Sequence, residues 1–305
     1  MKLSELSQPE LTRSLARGEL LLKIGPLVAR ITTNVRSLVA NISLIYDDFD
    51  VCQTGAFADF HVEISREFGF RYWLKPQVRF YFDGRPSFIP LPTSQAMAML
   101  EWGLNWCIAA HCHQYLIIHA AVIEKNGKCA VLPAPPGSGK STLCAGLVMR
   151  GWRLLSDELA LYDMSTGLIY GMSRPVNLKN KSIDVIKQYA PDAIMTASMT
   201  DTTKGTVALL KPPLHSVLRS SEPVLPSWII LPKYLPNAVP ELVRHSRGLT
   251  FMLIAEQSFN YDIHGRQGFD AIGNLVDQAD CYQFTYSQLD DAQRIFNMLL
   301  EGSST

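Results

Sequence analysis

The spacing of apolar positions changes period several times along the chain, and each change marks an element. Residues 1–18 are a polar lead-in with a short helix. Leu, Ile and Val crowd residues 20–33 and predict strand, with Gly25-Pro26 as a bend. Leu38, Val39, Ile42 and Ile45 fall at helical spacing within 35–46. Phe60, Val62 and Ile64 alternate with polar residues, as a half-buried strand does. Residues 71–74 and 78–82 are further strand candidates, and Asp83-Gly84 turns the chain towards Ser87, Phe88 and Ile89. Pro90 and Pro92 close this stretch, so residues 1–92 form a β-rich N-terminal region.

From residue 93 strands and helices alternate. Thr93 or Ser94 caps a helix over 95–112. Residues 115–123 predict one strand, 124–128 a turn and 129–132 the next strand. A helical pattern starting near Leu143 ends at Gly151, a plausible left-handed stop. Residues 152–156 predict a short strand, 182–189 a helix stopped by Pro191, and the polar stretch 196–205 a mobile loop. Residues 228–231 predict strand, 269–278 helix, 281–286 strand and 289–300 a closing helix; the apolar run 251–255 fits neither period. Residues 93–305 therefore predict an α/β domain.

Composition narrows the classes. Of 305 residues 47% are hydrophobic and 18% charged, enough to build a sizeable core. Lys plus Arg equals Asp plus Glu at 28 each, so no global charge draws the chain to nucleic acid or an acidic membrane. No apolar run reaches the roughly 18 residues that a span requires. The six cysteines include no C-x-x-C pair and read as buried hydrophobes of a reducing compartment, so the expected setting is the cytoplasm. Cys107 and His111 share a helix face, but no distant pair completes a zinc set.

Chemistry concentrates in Ala134, Pro135, Pro136, Gly137, Ser138, Gly139, Lys140, Ser141 and Thr142, between an apolar strand and a helical pattern. That order is the Walker A arrangement: backbone N–H groups and a helix N-terminus cradle phosphates, Lys140 reaches the outer ones, and Ser141 holds Mg²⁺. Its first glycine is replaced by Ala134. Asp157-Glu158 follows at the end of the next strand, which would neighbour the loop strand, and an acid there holds Mg²⁺ or accepts a proton. Arg174, Lys179 and Lys181 form a basic cluster, a phosphate contact or a solvated face. Lys204, among Thr202, Thr203, Gly205 and Thr206, suits a loop that closes over a phosphate, or a plain surface loop.

His119, the loop 136–141, the stretch 147–156 and Asp157-Glu158 together resemble the catalytic core of the HPr serine kinase/phosphorylase family. Residues 100–107 and 174–180 are similar to the offshoot called HprK-related kinase A. The resemblance implies a P-loop-containing catalytic domain of HPr kinase and phosphoenolpyruvate carboxykinase type behind a smaller β-rich part. It implies ATP and Mg²⁺, a metal position at Ser141, Glu158 and Asp157, Asp157 as base toward a serine, and His119 near the phosphates. Arg174, Lys179 and Lys204 are candidate substrate or phosphate contacts. The family's metal-binding glutamate has no counterpart in 174–182, where Asp184 is the first carboxylate beyond, and the phosphorolysis motif is not recognisable. The implied function is an ATP-dependent serine kinase acting on a peptide or protein hydroxyl. A small-molecule hydroxyl kinase and a non-catalytic nucleotide-binding module stay open, as does homo-oligomerisation.

Overall fold

The computed structural model describes residues 1–53, 55–66, 75–135 and 137–302. It is a mixed α/β chain, and among the described residues the strands form four sheets. Among the described residues no helix is long and apolar enough to cross a membrane, and all six cysteines are free thiols.

The first sheet is built from β1 (Leu20–Ile24), β2 (Leu27–Thr33), β3 (Phe60–Arg66), β4 (Gln77–Phe82), β5 (Arg85–Pro86) and β6 (Leu91–Pro92). Gly25 turns β1 into β2 at φ 60, and a Cβ there would lie 2.0 Å from the Gly171 carbonyl. Only glycine lets this turn sit against residue 171. β2 and β3 are parallel, joined through the helix Arg36–Ile45, whose Leu38, Val39, Ile42 and Ile45 are buried as their spacing predicts. The helix Ala96–His111 packs into the same core through Met97, Leu100 and Leu104. The strand expected at 71–74 lies outside the described residues.

The run 115–123 departs from expectation. It is two strands, β7 (Leu116–Ile118) and β8 (Ala120–Lys125), which belong to different sheets and break at His119. The backbone N–H of His119 leaves the ladder and donates to the Gln257 carbonyl at 2.7 Å. β9 (Lys128–Pro133) follows, then β10 (Arg153–Ser156), β11 (Ala160–Tyr162), β12 (Ile169–Tyr170), β13 (Val176–Lys179), β14 (Met199–Thr202), β15 (Gly205–Leu210), β16 (Pro226–Tyr234), β17 (Glu241–Arg244) and β18 (Asp280–Tyr286).

The central sheet has the order β10-β8-β9-β16-β18-β17. Thus β10 is not the neighbour of β9, as the spacing suggested; β8 lies between them. Because β8 is antiparallel to both, β10 still runs in the direction of β9. β16 and β18 run parallel to β9 as well. The carboxyl ends of β9, β10, β16 and β18 and the start of β8 therefore share one edge. Alternate residues face opposite layers: Ala121, Ile123, Ala130 and Leu132 pack with the helices Lys140–Val148, Lys181–Tyr189 and Leu289–Gly302. Ala120, Val122, Cys129 and Val131 pack with the helices Arg247–Glu256 and Arg266–Gln278. The unassigned run 251–255 belongs to the first of these two helices. Its apolar residues are split between a buried Ile254 and an exposed Met252, which hid the period.

The small sheet β12-β11-β7 flanks this edge, and β13-β15-β14 forms the fourth sheet. Residues 196–205 are therefore no mobile loop: β14 and β15 form a hairpin. Asp201, where the register of β14 shifts, and Gly205, which closes the turn, take left-handed backbone at φ 57 and 83.

Candidate active site

The chain crosses between the central and small sheets twice, side by side. It enters the central sheet at His119, between β7 and β8, and leaves it at Asp157-Glu158, between β10 and β11. β10 pairs with β8 and β11 pairs with β7, so the two crossings are held in register. His119 is also one residue from Ala120, which pairs with Pro133 at the mouth of the loop 134–139. Residues far apart in sequence thus meet at the edge where β9 ends.

β9 delivers the loop 134–139 to the helix Lys140–Val148. The ends of β16 and β18 pin that loop: the Tyr234 N–H donates to the Ser138 carbonyl at 2.9 Å, and the Tyr286 hydroxyl donates to the Gly139 carbonyl at 2.9 Å. Gly137 and Gly139 have φ 88 and 91. A Cβ on Gly139 would lie 2.5 Å from the Tyr286 hydroxyl and 2.8 Å from Tyr234 Cβ, so the close approach adds to the backbone requirement. Ala134 is buried with φ outside the left-handed region, so alanine is accommodated where the strict pattern has glycine. Pro135 is exposed and Thr142 half-buried, while Pro136 lies outside the described residues.

Lys140 is 7% exposed, and its Nζ has no hydrogen-bond partner. Burial pulls its pKa down, against the opposing pull of Asp157 and Glu158. A buried ammonium without a partner costs several kcal/mol as a rule, and here it lies at a helix N-terminus. Asp157 is 4% exposed. Its Oδ2 accepts from the Asn177 N–H at 3.1 Å, whereas Oδ1 has no partner. Burial, then the Glu158 charge, push the Asp157 carboxyl up to about 6, although Lys140, the Asn177 N–H and the Ser141 hydroxyl favour its charged form. Glu158 goes the other way. Burial alone would raise it, but His119, Lys140, Lys179 and Lys204 outweigh burial and hold it below the usual carboxylate range.

His119 Nε2 lies 3.5 Å from Glu158 Oε2, and Lys179 Nζ lies 3.6 Å from Glu158 Oε1. The other ring nitrogen of His119 faces Gln257 Oε1 at 3.3 Å. Lys204, in the β14–β15 turn, stands 5.0 Å over the Trp102 ring, and burial lowers its pKa against the pull of Glu158. Lys140, Ser141, Asp157, Glu158, His119, Lys179 and Lys204 are therefore gathered at one place.

Arg174 is placed differently from a free phosphate contact. Its guanidinium donates to Glu101 Oε2 at 2.6 Å, the Glu101 carbonyl at 2.9 Å and Asn105 Oδ1 at 2.6 Å. The Tyr46 hydroxyl donates to the other Glu101 oxygen. Ser173, at φ 49 with its one hydroxyl proton shared between the Leu154 and Ser216 carbonyls, turns Arg174 inward. A hollow of ≈ 20 Å³ separates this network from the site; Glu101, Asn105, Asp157, Glu158, Arg174 and Asn177 line it. It has room for about one water. Glu101 is thus a carboxylate beside the site that local sequence did not reveal, while Asp184 is exposed on its helix. His111 stacks on Phe82 at 4.7 Å, and among the described residues no three His, Cys, Asp or Glu side chains form a metal cluster.

The residues present fit a phosphate anion with a hard cation. The orphaned Lys140 Nζ and Ser138 Oγ line an anion cradle in which Gly139 leaves no room for a side chain. Ser141 and the two acids offer the oxygen ligands that Mg²⁺ takes, usually one or two carboxylates with phosphates and water. No family model matches the chain, and no curated protein matches it.

Proposed function

We propose that the chain is an ATP- and Mg²⁺-dependent kinase that transfers the γ-phosphate to a hydroxyl of serine or threonine in a peptide or protein, with a catalytic domain of HPr kinase type. The observation that carries this reading is Lys140: a buried, unpartnered ammonium at the start of a helix, beneath a glycine loop and beside a raised carboxyl.

In this reading the loop N–H groups and Lys140 bind the phosphates, and Ser141 with Glu158 holds the metal ion. Bound Mg²⁺ supplies neutralisation of phosphate charge. His119 and Lys179 steady Glu158 as an anion, so that no proton has to leave before it ligates. Asp157, raised to about 6, is poised near neutrality, where a general base accepts a proton most effectively. As the acceptor oxygen bonds to phosphorus and the terminal bridging P–O bond breaks, its proton passes to an Asp157 carboxylate oxygen. The leaving electron pair stays on the diphosphate.

The ≈ 20 Å³ hollow beside Asp157 has room for about one water and none for an acceptor, so in this reading the hydroxyl reaches Asp157 from outside it. An exposed peptide side chain presents its hydroxyl in that way. The reading is tested by incubating the protein with γ-labelled ATP and Ser/Thr acceptors, comparing wild type with Asp157→Asn. Retained transfer in the variant would remove Asp157 as the base.

A further inference from the structure

A second concave feature lies on the other side of His119. The helix Arg247–Glu256 and the short helix Tyr261–His264 enclose a groove of ≈ 670 Å³. Its walls include Leu249, Met252, Leu253 and Tyr261. Leu249 and Met252 are 62% and 66% exposed, an unusual investment of large apolar side chains in a wet surface. Met adapts its shape to varied apolar partners.

The charge at the rim is one-sided. Glu256 and Asp262 line the groove, and among the described residues neither has an ion-pair partner. Glu256 ends its helix, where the backbone dipole is already negative, and that last turn carries no basic residue. A bound cation relieves both. The complement of this surface is therefore an apolar side chain adjoining Lys or Arg.

The groove wall also adjoins the candidate active site. Ser258, on its wall, forms a β-bridge with Ile118. Gln257 accepts the His119 N–H, and the Phe259 ring lies 5.9 Å from the His119 ring. The groove wall therefore adjoins His119, which contacts Glu158. That proximity argues for the acceptor as occupant, over a second copy of the protein.

We infer that this groove docks the phosphate acceptor, a peptide segment with apolar residues beside Lys or Arg, and so sets substrate specificity away from the phosphate loop. The inference rests on the kinase reading for the word acceptor, but its test does not. Short fluorescein-labelled peptides with a single Ser are titrated against the full chain by anisotropy without nucleotide: one Leu- and Lys-rich, one with Glu in place of Lys, one with Gln in place of Leu. The Leu–Lys peptide is expected to bind about tenfold tighter than either control. Met252→Glu is expected to lose about tenfold of that affinity while nucleotide binding is unchanged. Glu256→Lys with Asp262→Lys is expected to shift the preference to the Leu–Glu peptide, with circular dichroism verifying the fold. Equal binding of the three peptides, no binding of any, or an unchanged preference in the double variant overturns the inference. So does a Met252→Glu effect confined to self-association by sedimentation, which assigns the groove to a second copy. A bound peptide that never receives phosphate overturns the kinase reading and leaves the groove; transfer that ignores peptide charge does the reverse.

Discussion

His119 Nε2 lies 3.5 Å from Glu158 Oε2, and the two residues sit where the chain crosses between the central sheet and the small sheet beside it. The contact follows from strand pairing: β8 with β10 on one side, β7 with β11 on the other. In the proposed kinase His119 orients the metal-binding carboxylate and is a positioning residue. His119→Ala is expected to weaken the Mg²⁺ dependence of nucleotide binding about 10–100-fold, with partial rescue by His119→Gln. Calorimetric titration of Mg²⁺ in the presence of ATP reads this; an unchanged Mg²⁺ response would sink the role.

Gly139 and Tyr286 give a second test. Tyr286→Phe removes one hydrogen bond to the loop, worth about 1 kcal/mol, and is expected to reduce ATP affinity a few-fold. Gly139→Ala must place a Cβ 2.5 Å from the Tyr286 hydroxyl at a φ of 91, so nucleotide binding should be lost almost entirely. Titration with a fluorescent ATP analogue separates the two. Equal, mild effects would mean that the loop does not have to keep this shape.

Asp157 should make the free protein less stable as pH rises. Its carboxyl is raised in the folded state, from 3.8 to about 6. The folded protein therefore holds this proton more tightly than the unfolded chain does. Stability from this group is full below pH 4, falls between 4 and 6 and is lost above that, on the order of 2–3 kcal/mol. Asp157→Asn is expected to raise Tm at pH 8 and to have little effect near pH 4. A Tm gain independent of pH, or a loss at pH 8, would contradict this assignment of the charge.

Arg174 is expected to behave as a structural residue. Arg174→Met leaves Glu101 buried without its cation, which costs about 3–5 kcal/mol, and should lower Tm by several degrees. Calorimetry of the free protein measures it. Reduced phosphate affinity with an unchanged Tm would instead restore Arg174 as a phosphate contact.

What could be read from sequence was local. The glycine loop 134–139 is legible because strand, glycine turn, lysine and helix are consecutive. Asp157 is legible because an acid pair closes a short apolar strand. His119 was singled out by resemblance; the break that gives it freedom was not legible, because residues 115–123 are one apolar run and only pairing with two different sheets divides them. The same limit hid β8 between β9 and β10. Glu101 is 73 residues from Arg174, so nothing near 174 shows that its charge is already matched. Tyr234 and Tyr286 end β16, which lies beside β9, and β18, the next strand beyond, places decided by the order of the sheet. The polar run 196–205 resembles a loop because its turn residues and exposed strand face outnumber its buried positions, Thr196, Met199 and Thr202.

The account stands most directly on one measurement: transfer of label from γ-labelled ATP to a serine-bearing acceptor by wild type, Lys140→Met and Asp157→Asn, with ATP binding followed in parallel. Wild type is expected to phosphorylate the acceptor. Asp157→Asn should bind ATP and transfer at least about a hundredfold more slowly, and Lys140→Met should lose affinity and transfer together. Tight ATP binding by wild type with no transfer to any Ser/Thr peptide or protein would contradict the kinase and leave a nucleotide-binding module in its place.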